Sequence, residues 1–296
     1  ADGENSDLVL RPVRWYRDRS DDPSLKIYVV CEVMNVDGTP HETNTRSKFD
    51  SNQGWDTTWV GFEQEYTFFD GSRPLGLPEK GYAPPQGPFY CGVGADEVFG
   101  RDIVDDHLEL CLKFGVKITG INAEVMPGQW EFQVGAGETL TMCDDLIMAR
   151  YLLFKVGETY GINISLDPKP VRGDLNGAGC HVNVSTPDMR ANCRASSHSD
   201  VWGMDAIKAA IHRLSLRHDQ HIAVYGHGNA DRLTGAHETC SINDFRWGVS
   251  DRGASIRIPW QVERDQCGYL EDRRPAANCD PYEVCVALLQ TICGGS

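Results

Sequence analysis

Residues 122–135, NAEVMPGQWEFQVG, carry the pattern from which the fold is read. Apolar and polar residues alternate on both sides of Pro127-Gly128, as in half-buried strands. Pro-Gly is turn chemistry, because Pro presets the first central φ and Gly accepts the second, positive one. With those two residues as the whole turn, Met126 pairs with Gln129, Val125 with Trp130 and Glu124 with Glu131. Two carboxylates then face each other across a ladder. At about 5 Å, with an effective dielectric of about 20, they repel by roughly 3 kcal/mol. A stable fold keeps such a pair only with a cation beside it.

Working outward, residues 61–69 read GFEQEYTFF, and Glu63 and Glu65 stand two apart, so both side chains leave one face of a strand. Alone, this pair reads equally well as the solvated face of an edge strand. Beside Glu124 and Glu131 it reads as the other half of a site for Mg²⁺ or Mn²⁺, hard ions that take carboxylate oxygens. A further strand, Cys180–Ser185, turns His181, Asn183 and Ser185 to one side. It follows Asn176-Gly177-Ala178-Gly179, small residues that allow a ligand close to the backbone.

The chain has 28 Lys and Arg against 43 Asp and Glu, a formal net charge of −15, which excludes a phosphate-backbone partner. In so acidic a chain, arginines in the segments RLTGAHET (232–239), RGASIRIP (252–259) and GYLEDRRPAAN (268–278) read as forks for phosphate or carboxylate. Tyr269, Glu271 and Arg273 share a face of the last strand. A divalent-metal site beside such clamps suits phosphoryl transfer from a nucleotide. No Gly-x-x-x-x-Gly-Lys loop is present, so the chemistry is not that of a P-loop.

The 296 residues suffice for one large domain or two modest ones. The 11 Cys are scattered with no Cys-x-x-Cys spacing and read as reduced packing residues. No run of 18 apolar residues occurs, and the start, ADGENSD, has neither the basic nor the apolar region of an export signal, so a soluble chain is expected. Without an initiator Met, the start reads as processed or incomplete. Residues 8–14 and 26–34 alternate as a hairpin, joined by a turn over Arg17–Ser24, and a polar stretch from Asn35 to Asp56 holds a short helix or linker. Further strands are predicted at 59–69, 116–125, 130–135, 180–186 and 254–258, and helices at 101–115, 141–160, 203–219 and 281–292. The helices at 101–115 and 141–160 bury stripes such as Leu108, Leu112 and Val116, or Met142, Leu146, Ala149 and Leu153. Residues 71–94, rich in Pro and Gly, form a long ordered loop. His218 and His221 read as a solvated helix end, and His41, His198 and His212 belong to no constellation.

The strings GFEQEYTFF, PQGPFYCGVGADEVFGRDIV, NAEVMPGQWEFQVG, NGAGCHVNVST, RLTGAHET, RGASIRIP and EDRRPAANCDPY, in this order, closely resemble glutamine synthetase of the eukaryotic type over essentially the whole chain. The resemblance implies an α+β fold: a partial N-terminal β-grasp domain over residues 1–45, then a catalytic domain over 46–296 with a curved antiparallel β-sheet flanked by helices. It implies ATP-dependent ligation of ammonia to L-glutamate, giving L-glutamine, ADP and phosphate through γ-glutamyl phosphate, in nitrogen assimilation. Metal ligands would be Glu65, Glu124 and Glu131 for one ion and Glu63, His181 and Glu271 for another, two to three Mg²⁺ or Mn²⁺ per site. Glutamate would lie on Asn176, Gly177, Arg232 and Arg273, and the ATP nucleotide near Glu63, Glu131, Asn183, Ser185, Arg252, Arg257 and Tyr269. Glu238 would be the flap glutamate that closes the site and takes a proton from ammonium, with Arg252 and Tyr90 beside it.

The resemblance also implies a homo-oligomer of stacked rings, a decamer, with active sites between subunits and no nucleic-acid or membrane partner. A cytoplasmic location follows, with an organellar one left open. The family's earlier strands and its Asp-Gly-Ser-Ser loop precede the aligned part, so weak assembly and reduced turnover are expected of these residues alone. Two alternatives stand beside the ligase: a catalytically impaired or non-catalytic relative with an assembly or regulatory role, and a sister ligase that joins glutamate to an amine. The ligand set is complete and RLTGAHET is intact, which favours ammonia.

Overall fold

The computed structural model describes residues 6–19, 26–49, 55–80, 83–192 and 200–294. Most of the predicted Arg17–Ser24 turn, and His198, lie outside them. Two strands open the chain, β1 (Val9–Arg17) and β2 (Ile27–Met34), paired antiparallel with a register shift between Pro12 and Arg14, where Pro has no N–H to give the ladder. The hairpin's inner face is fastened to the body: Tyr28 packs on Phe114 with ring centroids 4.7 Å apart, and Tyr16 Oη donates to Asp145 at 2.7 Å. Arg46, in a short 3₁₀ turn at Thr45–Lys48, reaches Glu32 at 2.8 Å and Asp144 at 2.9 Å.

The body is a nine-stranded sheet of β3 (Trp59–Asp70), β4 (Arg73–Pro74), β5 (Ile118–Ala123), β6 (Gln129–Glu138), β7 (Asn163–Ser165), β8 (Cys180–Ser185), β9 (Trp247–Val249), β10 (Ile256–Ile258) and β11 (Leu270–Asp272). The main order is β5-β6-β3-β8-β11-β10-β9, with β4 and β7 also paired to β3. One departure from an antiparallel sheet is found: β9 and β10 run parallel. Ser250 at φ 56° and the Asp251 carboxylate, which accepts the Gly253 N–H, turn the chain back so that β10 starts beside the start of β9. The molecule is thus mixed α+β, a β-rich start followed by a helix-and-sheet body.

Helices α1 (Arg101–Phe114), α2 (Thr139–Tyr160), α3 (Pro187–Arg190), α4 (Gly203–Leu216), α5 (His218–Ile222), α6 (Trp260–Asp265) and α7 (Pro281–Cys293) complete the fold. Glu138 caps α2 by accepting from the Leu140 and Thr141 N–H groups, and Gly161 at φ 65° ends it. The stripe expected on α2 is buried as read. That on α1 is so only in part: Val116 is buried and Leu108 packs against the core, but Leu112 is 53% exposed, and the fully buried face is Ile103, His107, Cys111 and Phe114. His107 is tolerated there because its Nε2 meets Ala149 O at 2.9 Å, so Leu112 was the wrong guide to the buried side. Among the described residues the cysteines are free, most of them buried, and no helix is long and apolar enough to cross a membrane.

Period-two alternation divides the sheet into a core face and a site face. Phe62, Tyr66 and Phe68 of β3, Trp130, Phe132 and Val134 of β6, and Val182 and Val184 of β8 are buried in the core. Glu63, Glu65, Glu131, His181 and Glu271 occupy the alternate positions. On the core face Asp272 and Arg274 form a fully buried pair, with Arg274 Nε and Nη2 donating to Asp272 Oδ1 and Oδ2 at 2.9 and 2.6 Å, while Tyr225 Oη donates to Oδ2 at 2.7 Å. At the expected solvated helix end Asp219 and Gln220 are exposed, but the two histidines turn inward beside this pair. His221 is 1% exposed, with Nδ1 on Tyr225 Oη and Nε2 on Thr291 Oγ1, and His218 is hydrogen-bonded through both ring nitrogens.

Burial alone would raise the Asp272 carboxyl, but the Arg274 guanidinium and the Tyr225 hydroxyl overcome it and hold it below the ordinary carboxylate range. The stability this adds is fully present above the unfolded-state value of about 3.9 and is lost as pH falls through the folded one. Arg274→Met strands the buried carboxylate and should cost about 3–5 kcal/mol at pH 7. Urea unfolding as a function of pH should show that deficit shrinking in acid.

Candidate active site

The strand registers bring the acidic side chains together. Glu63 lies opposite His181 across β3 and β8, and Glu65 opposite Glu131 across β3 and β6. Glu131 faces Asn122 rather than Glu124, because the connection from β5 to β6 is two residues longer at its β5 end than the tight turn predicted: Glu124 N–H bonds Gln129 O at 2.9 Å around the Met126–Gln129 turn. A slip of two preserves the face, where a slip of one would reverse it. Glu124 therefore still joins Glu65 and Glu131, with ligand atoms all within 4.8 Å of one another, and Glu63, His181 and Glu271 form a second such group.

Each ligand is held by neighbours. Asn183 Nδ2 donates to Glu63 Oε1 at 2.7 Å, Asn122 Nδ2 to Glu124 Oε1 at 3.0 Å, Gln133 Nε2 to Glu131, and Gly179 N–H to Glu65 Oε2 at 2.5 Å. Arg257 and Arg273 grip Glu271 from two sides at 2.7 and 2.6 Å. The small residues at 176–179, expected to admit a ligand, admit the Arg232 side chain: a Cβ on Gly177 would lie 2.8 Å from Arg232 Cγ. Arg232 Nη2 reaches His181 Nε2 at 3.1 Å.

One cleft is lined by Glu63, Glu65, Tyr90, Glu124, Glu131, Asn176, Gly177, His181, Arg232, Glu238, Arg252, Arg257 and Arg273. Glu271 lies behind it, fully buried. Asn183, Ser185 and Tyr269 instead line an adjoining, largely apolar cavity of about 390 Å³ that shares Glu63 with the first. That size accommodates a nucleoside-like group. A loop from Leu233 to Ile242 overhangs the cleft, closed at its stem by Ile242 N–H on Leu233 O at 2.9 Å and a Thr234–Ser241 bridge. His237 and Glu238 sit at its tip with φ of 50° and 57°. Glu238 lies 3.9 Å from Arg252, whose guanidinium lies over the Tyr90 ring at 5.9 Å.

The charges do not balance within the protein. Burial, then Glu63, Glu65 and Glu124, push Glu131 up to about 10, and burial with Glu65 pushes Glu124 up to about 8. Burial raises Glu65 despite Arg232 and lowers Arg232 to about 10, and burial with Arg273 lowers His181 well below its usual value. His181 Nδ1 is buried with no hydrogen-bond partner, 3.5 Å from carboxylate oxygens of both Glu63 and Glu271. Three buried carboxylates in one group, and an orphaned imidazole nitrogen between two carboxylates in the other, are the donor sets that Mg²⁺ or Mn²⁺ takes. A cation on Nδ1 needs the ring proton on Nε2, with Arg232 turned from it, so loading this position and freeing an Arg232 donor go together.

Residues 44–295 match the family described as glutamine synthetase, catalytic domain. The chain belongs to the glutamine synthetase family. It is 52% identical over 301 residues to glutamine synthetase of Yarrowia lipolytica and 51% identical over 302 residues to glutamine synthetase 2 cytoplasmic of Drosophila melanogaster, covering 99% of this chain and 79% of each relative. It is 49% identical over 302 residues to the chloroplastic glutamine synthetase of Chlamydomonas reinhardtii, covering 100% of this chain and 77% of that relative.

In this glutamine synthetase chain, reading from sequence missed His237 and Thr239 in the cleft, though both lie within RLTGAHET. It also missed Trp59, Gly61, Ala136 and Arg190 in the apolar cavity, where Arg190 stacks on Trp59 at 4.1 Å. No polar motif marks them, since they line the space with ring faces and bare backbone. Saturating Mn²⁺, at about 100 times its dissociation constant, should stabilise the fold by about 2.7 kcal/mol for each site filled, seen as a higher melting temperature that EDTA reverses. Glu131→Gln should abolish the share of that rise due to the Glu65–Glu124–Glu131 group without lowering the melting temperature of the cation-free protein.

Proposed function

We propose that this cleft ligates ammonia to the γ-carboxylate of L-glutamate at the expense of ATP, yielding L-glutamine, ADP and phosphate. The observation that carries the reading is the pair of cation-binding groups walled by Arg232, Arg252, Arg257 and Arg273 and roofed by the loop bearing Glu238. Glu65, Glu124 and Glu131 would hold one divalent cation and Glu63, His181 and Glu271 another, two to three Mg²⁺ or Mn²⁺ in all. Bound there, the ions supply positive charge against that developing on phosphoryl oxygens.

A carboxylate is a poor electrophile and its oxide a poor leaving group, so transfer of the γ-phosphoryl group of ATP to the glutamate carboxylate must come first. Asn176 and Gly177, with Arg232 and Arg273, would hold the glutamate, and Arg252 and Arg257 would neutralise the phosphoryl group in flight. The nucleotide would occupy the apolar cavity beside Asn183, Ser185 and Tyr269, its phosphates reaching Glu63 and Glu131. Ammonia attacks only after ammonium has lost a proton, and Glu238 would take it, with Tyr90 and Arg252 adjacent. Attack forms the C–N bond, breaks the C–O bond to phosphate and releases phosphate. The closed loop would keep water from the acyl phosphate.

In the same reading the β1–β2 hairpin is part of a small β-grasp unit ending near residue 45, and the body from 46 onward is a catalytic domain whose sheet curves around the site. Subunits would stack in rings as a decamer with sites between neighbours, in the cytoplasm. One relative named above is called cytoplasmic and another chloroplastic, so an organellar location is compatible too.

With Mg²⁺, ATP, glutamate and ammonium, the protein should form glutamine and phosphate in equal amounts, and hydroxylamine in place of ammonium should give γ-glutamyl hydroxamate. Glu131→Ala should lower the rate by roughly 10²–10³-fold. Absence of glutamate-dependent phosphate release, or full turnover in that variant, overturns the reading.

A further inference from the structure

The loop over the cleft is held at its tip by weak contacts. His237 Nε2 meets Asp174 Oδ1 at 2.8 Å, but the Asp174 side chain is 99% exposed, and Glu238 and Arg252 are about half exposed and 3.9 Å apart. Exposed pairs of this kind fix little. The stem is different. At its start, Leu233 N–H bonds Asn229 O at 3.0 Å, and Asn229 Nδ2 donates to Arg274 O at 2.7 Å. At its end, Ile242 O lies 2.8 Å from His218 Nε2, and His218 Nδ1 lies 3.0 Å from Arg274 Nη1.

A guanidinium only donates, so Nδ1 is the acceptor of the Arg274 bond and the ring proton sits on Nε2, directed at Ile242 O. Phe245 packs against both the His218 ring and the Arg274 guanidinium, with centroid distances of 5.8 and 5.1 Å. Arg274 is locked in turn to Asp272, between Glu271 and Arg273 of the site. Both ends of the loop therefore converge on one buried residue, Arg274, one at its main-chain carbonyl and the other at its guanidinium.

We infer that His218 is a positioning residue of the ligase reaction: it ties the loop that carries Glu238 to the Asp272–Arg274 pair, and so sets how completely the loop covers the acyl phosphate. The inference rests on the ligase reading above. When the loop lifts, water in place of ammonia attacks the acyl carbon, the C–O bond to phosphate breaks, and glutamate is regenerated with loss of one ATP. Coupling, not phosphoryl transfer, is what His218 protects.

The test is the ratio of phosphate released to glutamine formed, with melting temperature measured in parallel. In Asn the side-chain oxygen stands where Nδ1 stands, so His218→Asn keeps the Arg274 acceptor and loses the donor to Ile242. His218→Gln places its amide nitrogen near the Nε2 position and keeps that donor but loses the acceptor for Arg274, so it cuts the tie at its other end. The wild-type ratio should be one. In His218→Asn the ratio should rise above one and the KM for ammonium should rise about fivefold, the population shift that one lost hydrogen bond gives, with faster hydrogen exchange across residues 233–242 and glutamate-dependent ATP cleavage retained. His218→Gln should leak likewise, and it carries the test alone if the Asn variant does not fold. A ratio of one in a folded His218→Asn or His218→Gln overturns the inference. A wild-type chain that makes no glutamine overturns the ligase reading instead.

Discussion

Like charges forced together on one face of a sheet are the constraint on which the rest of the structure depends. Glu65 and Glu131 stand directly opposite across β3 and β6, Glu124 leans in from the end of β5, and Glu63 and Glu271 flank His181 one strand away. Burial and mutual repulsion hold Glu65, Glu124 and Glu131 above the ordinary carboxylate range, so this face does not favour folding. The stabilising work falls to the opposite face. There the same strands bury Phe62, Tyr66, Trp130, Phe132, Val182 and Val184 beneath α2 and its neighbours. Strand alternation thus lets one set of backbones carry an apolar core and a repelling, cation-seeking site within a single layer.

The same alternation links β11 to the cover of the site. Glu271 faces the cleft between Arg257 and Arg273, while Asp272, one residue on, faces the core and holds Arg274. Arg274 then receives both ends of the Leu233–Ile242 loop, one through Asn229 and the other through His218. A carboxylate of the second group, two arginines of the cleft and the anchor of the overhanging loop therefore occupy four consecutive residues and their immediate partners. Displacement of β11 would move all of them at once.

Much of this was legible in the sequence because period two is a strong signal in strands with one buried face. The Glu-x-Glu of β3, the alternating QWEFQV of β6 and the HVNVS of β8 assign the right side chains to the site face without knowledge of the turn. The Glu124–Glu131 register was two residues off, yet the face was right, since only odd slips reverse it. Long-range packing was not legible. Leu112 suggested a wrong buried position on α1, because His107 looks polar until Ala149 O is brought to it, with Cys111 Sγ beside the same ring nitrogen. His218 looked solvated because its partners, Arg274 and Ile242, are 56 and 24 residues away. The parallel β9–β10 pair and the Trp59–Arg190 wall of the apolar cavity arise from chain reversal and ring stacking, which leave no periodic trace.

The central claim is that the two groups of opposed ligands are cation sites. Anomalous scattering from crystals grown with Mn²⁺ tests it most directly. The account predicts separate peaks, one bounded by Glu65, Glu124 and Glu131 and one by Glu63, His181 Nδ1 and Glu271, at metal-to-oxygen distances of about 2.0–2.2 Å. Manganese bound elsewhere, with both groups empty at saturating concentration, would contradict it.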